Sequence, residues 1–112
     1  MDTKKRAEEF MKTMQQIGAT DKNYLDAVMN LMQQAEKPGA LTTKEKELIS
    51  VALGIAAHCE YCIAVHVKNA LDAGANRQEI LEAAFVAGLM GGGPNIAYIG
   101  PVLDALEAYG AK

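Results

Sequence analysis

Apolar side chains recur along this 112-residue chain at the spacing of an α-helix, and no segment alternates apolar and polar residues as a half-buried β-strand does. Segments 3–17 and 21–36 each carry one apolar stripe, as amphipathic helices do. Segments 48–57 and 80–90 are apolar on nearly every side, which is typical of helices that are buried all round. The pattern therefore predicts an all-α fold.

Capping signals indicate where the helices begin. Asp21 is a candidate N-cap. Thr42 and Asn76 each precede a glutamate by three residues, which is the spacing of a capping box. We therefore expect five or six helices in one domain, at about residues 3–17, 21–36, 42–57, 60–73, 77–90 and 95–109.

Glycine and proline residues indicate where the helices end. Gly18 and Gly74 are candidate C-caps. The stretch Gly91–Pro94 lacks the lysine and hydroxyl residue of a phosphate loop and follows a helix, so we interpret it as a structural break. Pro101 lies inside the last predicted helix and predicts a kink or a short interruption there.

Composition narrows the class of protein. Hydrophobic residues make up 50% of the chain but aromatic residues only 5%, and this disfavours an all-β sandwich or barrel. The net charge of −3 excludes the basic surface of a nucleic-acid-binding protein, and the apolar half excludes a disordered chain. A domain of this size has too little interior to hide so many apolar residues. We therefore expect interfaces between copies of the chain.

The sequence also bears on the compartment. No apolar run reaches the roughly 18–20 residues that a membrane span needs, and the charged N-terminal residues lead into no apolar signal region. We expect a cytoplasmic protein without a membrane partner. In that reducing compartment structural disulfides are rare, and Cys59 and Cys62 are too close in sequence to restrain much of the unfolded chain.

Both cysteines and both histidines of the chain fall in the nine residues from His58 to His66. If Cys59 lies at the start of the fourth helix, Cys62 lies in its first turn and the two sulfurs are within disulfide reach. The positive end of the helix dipole favours the thiolate, which is the reactive form of cysteine. His66 follows Cys62 by four residues, shares its helix face and can accept its proton. This arrangement predicts dithiol–disulfide chemistry.

Other interpretations of the cluster fit its spacing less well. Covalent haem attachment requires a histidine directly after the second cysteine, where this chain has Ile63. A thioredoxin-like site requires a βαβ unit, and no strand is predicted. Two alternatives stay open. One is a zinc site made of both cysteines and both histidines, and the other is a pair of buried, unreactive thiols beside a core histidine.

Glu47 is a further candidate, because it stands at the head of the apolar run of the third helix. It is either an exposed first-turn residue that favours the helix dipole or a functional group. A straight helix would place it roughly 18 Å from Cys59. It can approach the site only if the fourth helix folds back antiparallel, which would bring His66 nearer to it and leave room for a bridging water.

Several segments together resemble a known family. They are Glu47–Leu53, Cys59–His66 and Ala70–Ala75, with Glu79–Ala83 and the Gly91–Pro94 turn downstream. Their combined pattern, Glu-x11-Cys-x2-Cys-x3-His, is similar to the core of the carboxymuconolactone decarboxylase and alkyl hydroperoxidase D superfamily. The resemblance covers about residues 35–95, and the N-terminal helices of residues 1–34 carry no part of it.

The resemblance implies an alkyl hydroperoxidase D-like helical domain that assembles as a homotrimer or homohexamer. It implies that Cys62 is the attacking thiolate and Cys59 the resolving thiol. A proton relay would link this pair to Glu47 and His66. The antioxidant members reduce peroxides or pass electrons between thiols, and a dihydrolipoyl-bearing protein or another dithiol reduces them in turn.

One position departs from the alkyl hydroperoxidase D pattern. The residue before the second cysteine is a relay histidine in that pattern and is Tyr61 in this chain. A phenol, with a pKa near ~10, exchanges protons poorly at neutral pH. This weakens the expectation of a fast peroxidase, although His58 is a potential substitute in the relay.

The sequence thus predicts a thiol-dependent oxidoreductase, either a peroxide reductase or a protein disulfide reductase, with a dithiol protein as its reductant and no cofactor. A carboxymuconolactone decarboxylase-type lyase is an alternative, in which Glu47 and His66 are the acid and the base. A non-catalytic metal-binding or scaffold protein is the other alternative.

Overall fold

The computed structural model describes all 112 residues as helices and connecting turns, which confirms the predicted all-α class. Seven helices follow one another along the chain: α1 (Thr3–Thr20), α2 (Lys22–Glu36), α3 (Thr43–Ala56), α4 (Glu60–Asp72), α5 (Arg77–Gly91), α6 (Gly93–Ala97) and α7 (Ile99–Ala108). None of these helices combines the length and the apolar character that a membrane crossing requires.

Three helices begin at the capping residues that the sequence indicates. The Asp21 side chain accepts a hydrogen bond from the N–H of Tyr24 at the start of α2. Thr42 and Asn76 form capping boxes with the glutamates three residues further on, at the starts of α3 and α5. These bonds satisfy N–H groups that no helical carbonyl can reach, and they fix where each helix begins.

The predicted end of α1 at Gly18 is wrong, since the helix continues to Thr20. The N–H of Asp21 bonds to the carbonyl of Ile17 while its side chain caps α2, so α1 ends at the residue that starts the next helix. The Leu25 side chain fills the space that a Cβ on Gly18 would occupy. Gly18 therefore permits close packing of α1 on α2 and is not a C-cap.

The last predicted helix is divided in two, and the division lies at Tyr98 instead of Pro101. Pro101 is the third residue of α7, where its missing N–H removes no helical hydrogen bond, and the expected kink there is wrong. The break predicted at Gly91–Pro94 is a single residue, Gly92. Its φ of 68° is a conformation that glycine adopts easily, and it separates α5 from α6.

Helices α3, α4, α5 and α7 share the core. Its side chains are small or aliphatic: Val51, Ile55, Ile63, Val67, Ala70, Ala75, Ile80, Ala84, Ala87, Val102, Ala105 and Leu106. Helix α4 folds back on α3, which brings Glu47 to His66. The two helices approach closely at Gly54, where an added Cβ would lie 3.3 Å from the Cβ of Cys62.

Two helices that the sequence predicts to be buried nearly all round are open on one side. Helix α3 exposes Leu53 to 63%, and α5 exposes Leu89 and Met90 to 81% each. The apolar pattern identified side chains that favour burial, but no other part of the same chain buries them. We refer to the exposed apolar side chains of α5 as the α5 apolar face: Phe85, Val86, Leu89 and Met90.

Candidate functional site

The candidate site begins at the turn between α3 and α4. His58 has a φ of 52°, a left-handed conformation that is uncommon for a residue with a side chain. The N–H of Cys59 then bonds to the carbonyl of Gly54 at 3.0 Å. This turn reverses the chain within three residues and directs α4 back along α3.

Cys59 is the N-cap of α4. Its Sγ accepts a hydrogen bond from the N–H of Cys62 at 3.1 Å, the role that a serine or aspartate oxygen has at most helix starts. Cys62 lies in the first turn of the helix. The two residues form a disulfide with their Cα atoms 5.3 Å apart, within the usual range for such bonds. Both are partly exposed, so reagents in solution can reach the pair.

Glu47 and His66 form a hydrogen-bonded pair beside the cysteines. The His66 Nδ1–H donates to Oε2 of Glu47 at 2.7 Å, so the contact is direct and no bridging water is needed. Glu47 is only 2% exposed, which shows that it is a buried group and not an exposed first-turn residue. Its hydrogen bond, followed by its charge, raises the pKa of His66 above the usual value.

Glu36, the last residue of α2, lies beside this pair and was not among the predicted site residues. One carboxylate oxygen of Glu36, one carboxylate oxygen of Glu47 and one ring nitrogen of His66 all lie within 4.8 Å of one another. Burial, followed by the neighbouring charge of Glu47, raises the pKa of Glu36. A signal existed: Glu36 follows Met32 by four residues and therefore continues the inward-facing stripe of α2.

A cleft connects these groups to solvent. One part, of about 290 Å³, is lined by Ser50, Leu53, Gly54, Ala57, Cys62 and His66. The adjoining part, of about 340 Å³, shares Ser50 and His66 and extends to Glu36 and the apolar side chains of α2. Another cavity, of about 570 Å³, lies between α1 and α4, but none of the chemically distinctive residues lines it. The cleft that His66 lines is therefore the candidate site.

The two other residues considered for the relay lie elsewhere. Tyr61 is 43% exposed, and the Arg6 guanidinium lies 5.9 Å from its ring centroid. The His58 Nε2–H donates to the side-chain oxygen of Asn95 at 3.0 Å, and its ring stacks on Tyr98. Neither residue forms a hydrogen bond with Glu47 or His66.

The four residues considered for a zinc site do not converge on one point. Cys59 and Cys62 are bonded to each other, and His58 is directed towards Asn95. The facing atoms of Glu47 and His66 are joined by a direct hydrogen bond. The two cysteines and two histidines therefore form no tetrahedral zinc site in this structure.

Sequence comparisons show which proteins this chain is similar to. The sequence model of the carboxymuconolactone decarboxylase family matches residues 22–105. An uncharacterized protein of Cupriavidus necator is 31% identical over 110 residues, which span 98% of this chain and 97% of its own. A Paracoccus denitrificans protein, described only by its place in the cox locus, is 37% identical over 82 residues, or 73% of this chain and 74% of its own.

Solved structures agree with the sequence comparisons. The apo form of a carboxymuconolactone decarboxylase family protein from Legionella pneumophila has a TM-score of 0.92 and 32% identity, and the match covers 96% of each chain. A Thermotoga maritima protein, described as a family member with a possible antioxidative role, has a TM-score of 0.75 and 26% identity. That match covers 96% of this chain and 97% of the other.

Proposed function

This chain belongs to the carboxymuconolactone decarboxylase family, and we propose that it is a thiol-dependent oxidoreductase that reduces peroxides or disulfides. The observation that carries this proposal is the Cys59–Cys62 disulfide at the N-terminus of α4, in which Cys62 lines the same cleft as His66. A cysteine at this end of a helix favours its reactive thiolate. The antioxidative role suggested for the Thermotoga maritima protein belongs to the same class of chemistry.

In the first step of the proposed cycle, reduced Cys62 loses its thiol proton to His66 and attacks a peroxide. An S–O bond forms as the O–O bond breaks, and Cys62 becomes a sulfenic acid. The leaving hydroxide or alkoxide takes a proton from His66 and departs as water or an alcohol. Since Glu47 occupies Nδ1 of His66, the Nε2 atom is the one that exchanges this proton.

Cys59 completes the cycle. Its thiol attacks the Cys62 sulfenic acid, so that the S–S bond forms, the S–O bond breaks and water leaves. An external dithiol protein then supplies two electrons and two protons through a mixed disulfide, and both thiols are restored. With a disulfide as substrate, Cys62 forms the mixed disulfide directly and Cys59 displaces the remaining thiol.

The proposal extends to assembly and location. The α5 apolar face supports assembly between copies of the chain, because an exposed cluster of large apolar side chains is typical of a surface between proteins. The homotrimer or homohexamer is the stoichiometry that the family resemblance implies. The whole chain of residues 1–112 would form one domain of that assembly. The cytoplasm is the proposed compartment, since it maintains the dithiol reductants that the cycle requires.

A decarboxylase-type lyase is the second candidate. The observation in its favour is that the Glu47–His66 hydrogen bond involves neither cysteine, so this pair could exchange a proton with a lactone in the cleft on its own. The two functions differ in their need for sulfur, and removal of the cysteines separates them.

Cysteine variants test the proposal directly. Cys62→Ser should lower the enzyme-dependent turnover of an organic hydroperoxide and of a small aromatic disulfide, with dithiothreitol as reductant, by about 100-fold or more, because it lacks the attacking thiolate. Cys59→Ser cannot close the internal disulfide, so without reductant it should accumulate the Cys62 sulfenic acid after one equivalent of peroxide. Met29→Leu is the matched control, since it removes an exposed sulfur of α2 outside the cleft. Mass analysis of the reduced wild type after one equivalent of peroxide should show the loss of two hydrogens across Cys59–Cys62.

The opposite results would exclude the redox function. Full turnover by Cys62→Ser, or peroxide-treated wild type that loses no hydrogens across Cys59–Cys62, would show that the internal disulfide is not an intermediate. Undiminished lactone decarboxylation by the double variant, without turnover of peroxide or disulfide by the wild type, would establish the lyase.

A further inference from the structure

A side-chain hydrogen bond holds the C-terminus of α2 beside the Glu47–His66 pair. The four partly buried residues of α2 are Leu25, Val28, Met32 and Glu36, so a carboxylate occupies the last position of an otherwise apolar stripe. The Thr43 hydroxyl donates to the carbonyl of Glu36 at 3.1 Å. Thr43 and Glu47 are one helical turn apart on α3, and this bond therefore holds Glu36 on the helix face that carries Glu47.

The cluster contains two carboxylates and one imidazole. Its facing charges are Glu36 from α2, Glu47 from α3 and His66 from α4. Lys46 lines the same cleft, but its ammonium donates to the carbonyl of Lys37. No hydrogen bond or ion pair joins a charged side chain of α1 or α7 to the cluster. A proton on His66 is thus stabilised by two acidic groups.

We propose that Glu36 is a positioning residue of the redox site, which acts with Glu47 to stabilise the protonated form of His66 while Cys62 is a thiolate. The inference rests on the proposed thiol function. In the step concerned, the S–H bond of Cys62 breaks and an N–H bond forms at Nε2 of His66, with no change in oxidation state. The Glu36 carboxylate touches neither the sulfur nor the substrate and acts only through His66 and Glu47.

The arrangement of charges fixes the direction of the effect. An ionised carboxylate close to the imidazole favours its charged form, and the negative charge of Glu36 contributes to the raised pKa of His66. Neutralising Glu36 should make His66 a weaker acceptor for the thiol proton. Thiolate formation at Cys62 should then require a higher pH.

The experiment compares Glu36→Gln with wild type in two measurements, in EDTA so that no divalent cation competes. In the first, the NMR titration midpoint of the reduced protein's His66 imidazole should fall by about half to one pH unit. In the second, a Cys59→Ser background leaves Cys62 as the only thiol, and its alkylation by iodoacetamide at pH 7 should slow by about threefold, with the pH profile moved to higher pH.

Two further variants keep the result interpretable. Glu36→Asp retains the charge and should recover most of the His66 shift, which a merely structural role of the side chain would not restore. Glu107→Gln, on the exposed surface of α7, is the matched control and should match wild type. An unchanged His66 midpoint in folded Glu36→Gln would overturn the inference. The NMR measurement needs no turnover, so failure of the redox function itself would appear separately, as inactive wild type.

Discussion

At the scale of single residues, the Glu47–His66 hydrogen bond makes the stability of the fold depend on pH. The bond raises the pKa of His66 above its ordinary value of 6.5, so the folded chain binds the imidazole proton more tightly than the unfolded chain. Such a group stabilises the fold fully below pH 6.5, and the contribution is lost as pH rises through the folded pKa. The pKa of Glu36 is raised as well, so its effect on the stability of the fold changes with pH in the same direction. That change begins at a lower pH, at the ordinary value of 4.5.

Replacing the buried carboxylate tests this linkage. Glu47→Gln should lower the free energy of unfolding by about 2 kcal/mol at pH 6, because a hydrogen bond to a charged group is lost, and by less at pH 9. Urea unfolding between pH 6 and 9 measures the difference, with the exposed Glu107→Gln as control. Equal losses at both pH values would contradict the linkage.

The residues of the site were predictable to different degrees. His66 follows from its spacing to Cys62, since four residues always bring two side chains to one helix face. Glu47 was a candidate, but its contact depends on α4 folding back on α3, and a linear pattern does not contain that turn. Glu36 was missed because a carboxylate at the end of a helix usually faces solvent.

At the scale of helices, the sulfur of Cys59 has two structural roles at once. It caps α4 through its contact with the N–H of Cys62, and it forms the disulfide with the same residue. Sulfur is a weak acceptor compared with a hydroxyl oxygen. The start of α4 is therefore held by a cap of moderate strength together with the turn at His58.

Two replacements of Cys59 separate the cap from the disulfide. Neither Cys59→Ser nor Cys59→Ala can form the disulfide, but only serine restores a good N-cap. Cys59→Ala should therefore be less stable than Cys59→Ser by about 1 kcal/mol. Thermal unfolding under reducing conditions measures this gap, and identical stabilities would show that the residue does not cap α4.

The helix starts were predictable because a cap is a local interaction between residues three positions apart. The helix ends were less predictable, because they depend on contacts between helices. Gly18 resembled a C-cap, but its missing Cβ serves the packing of Leu25, a contact between two helices. Pro101 resembled a kink because the pattern did not show that a new helix begins just before it, at Ile99.

At the scale of the whole molecule, the apolar surface exceeds what seven helices of one chain cover. Composition predicted this excess, and the structure locates much of it on the α5 apolar face. Sequence periodicity identifies an apolar helix, but it does not show whether the same chain or another copy buries the apolar side chains. The stoichiometry of any assembly is for this reason beyond the reach of the apolar pattern.

Charges on this face test the proposed assembly. The native protein should sediment as a multiple of the 12.0 kDa chain. Leu89→Lys combined with Met90→Lys should yield single chains, because burial of two unpaired ammonium groups in an interface is strongly unfavourable. Gln78→Lys, exposed in the first turn of α5, is the control. Sedimentation of the native protein as a single chain would contradict the proposal.

Helix α2 is the one long helix from which no residue is fully buried, although it forms a wall of the cleft and carries Glu36. Segments with few buried apolar contacts open at the lowest free energy in native-state fluctuations. The groups that exchange protons are therefore sheltered by the segment that detaches most easily. Transient opening of α2 would therefore give bulk water a second route to the buried Glu47, beside the one that the cleft provides.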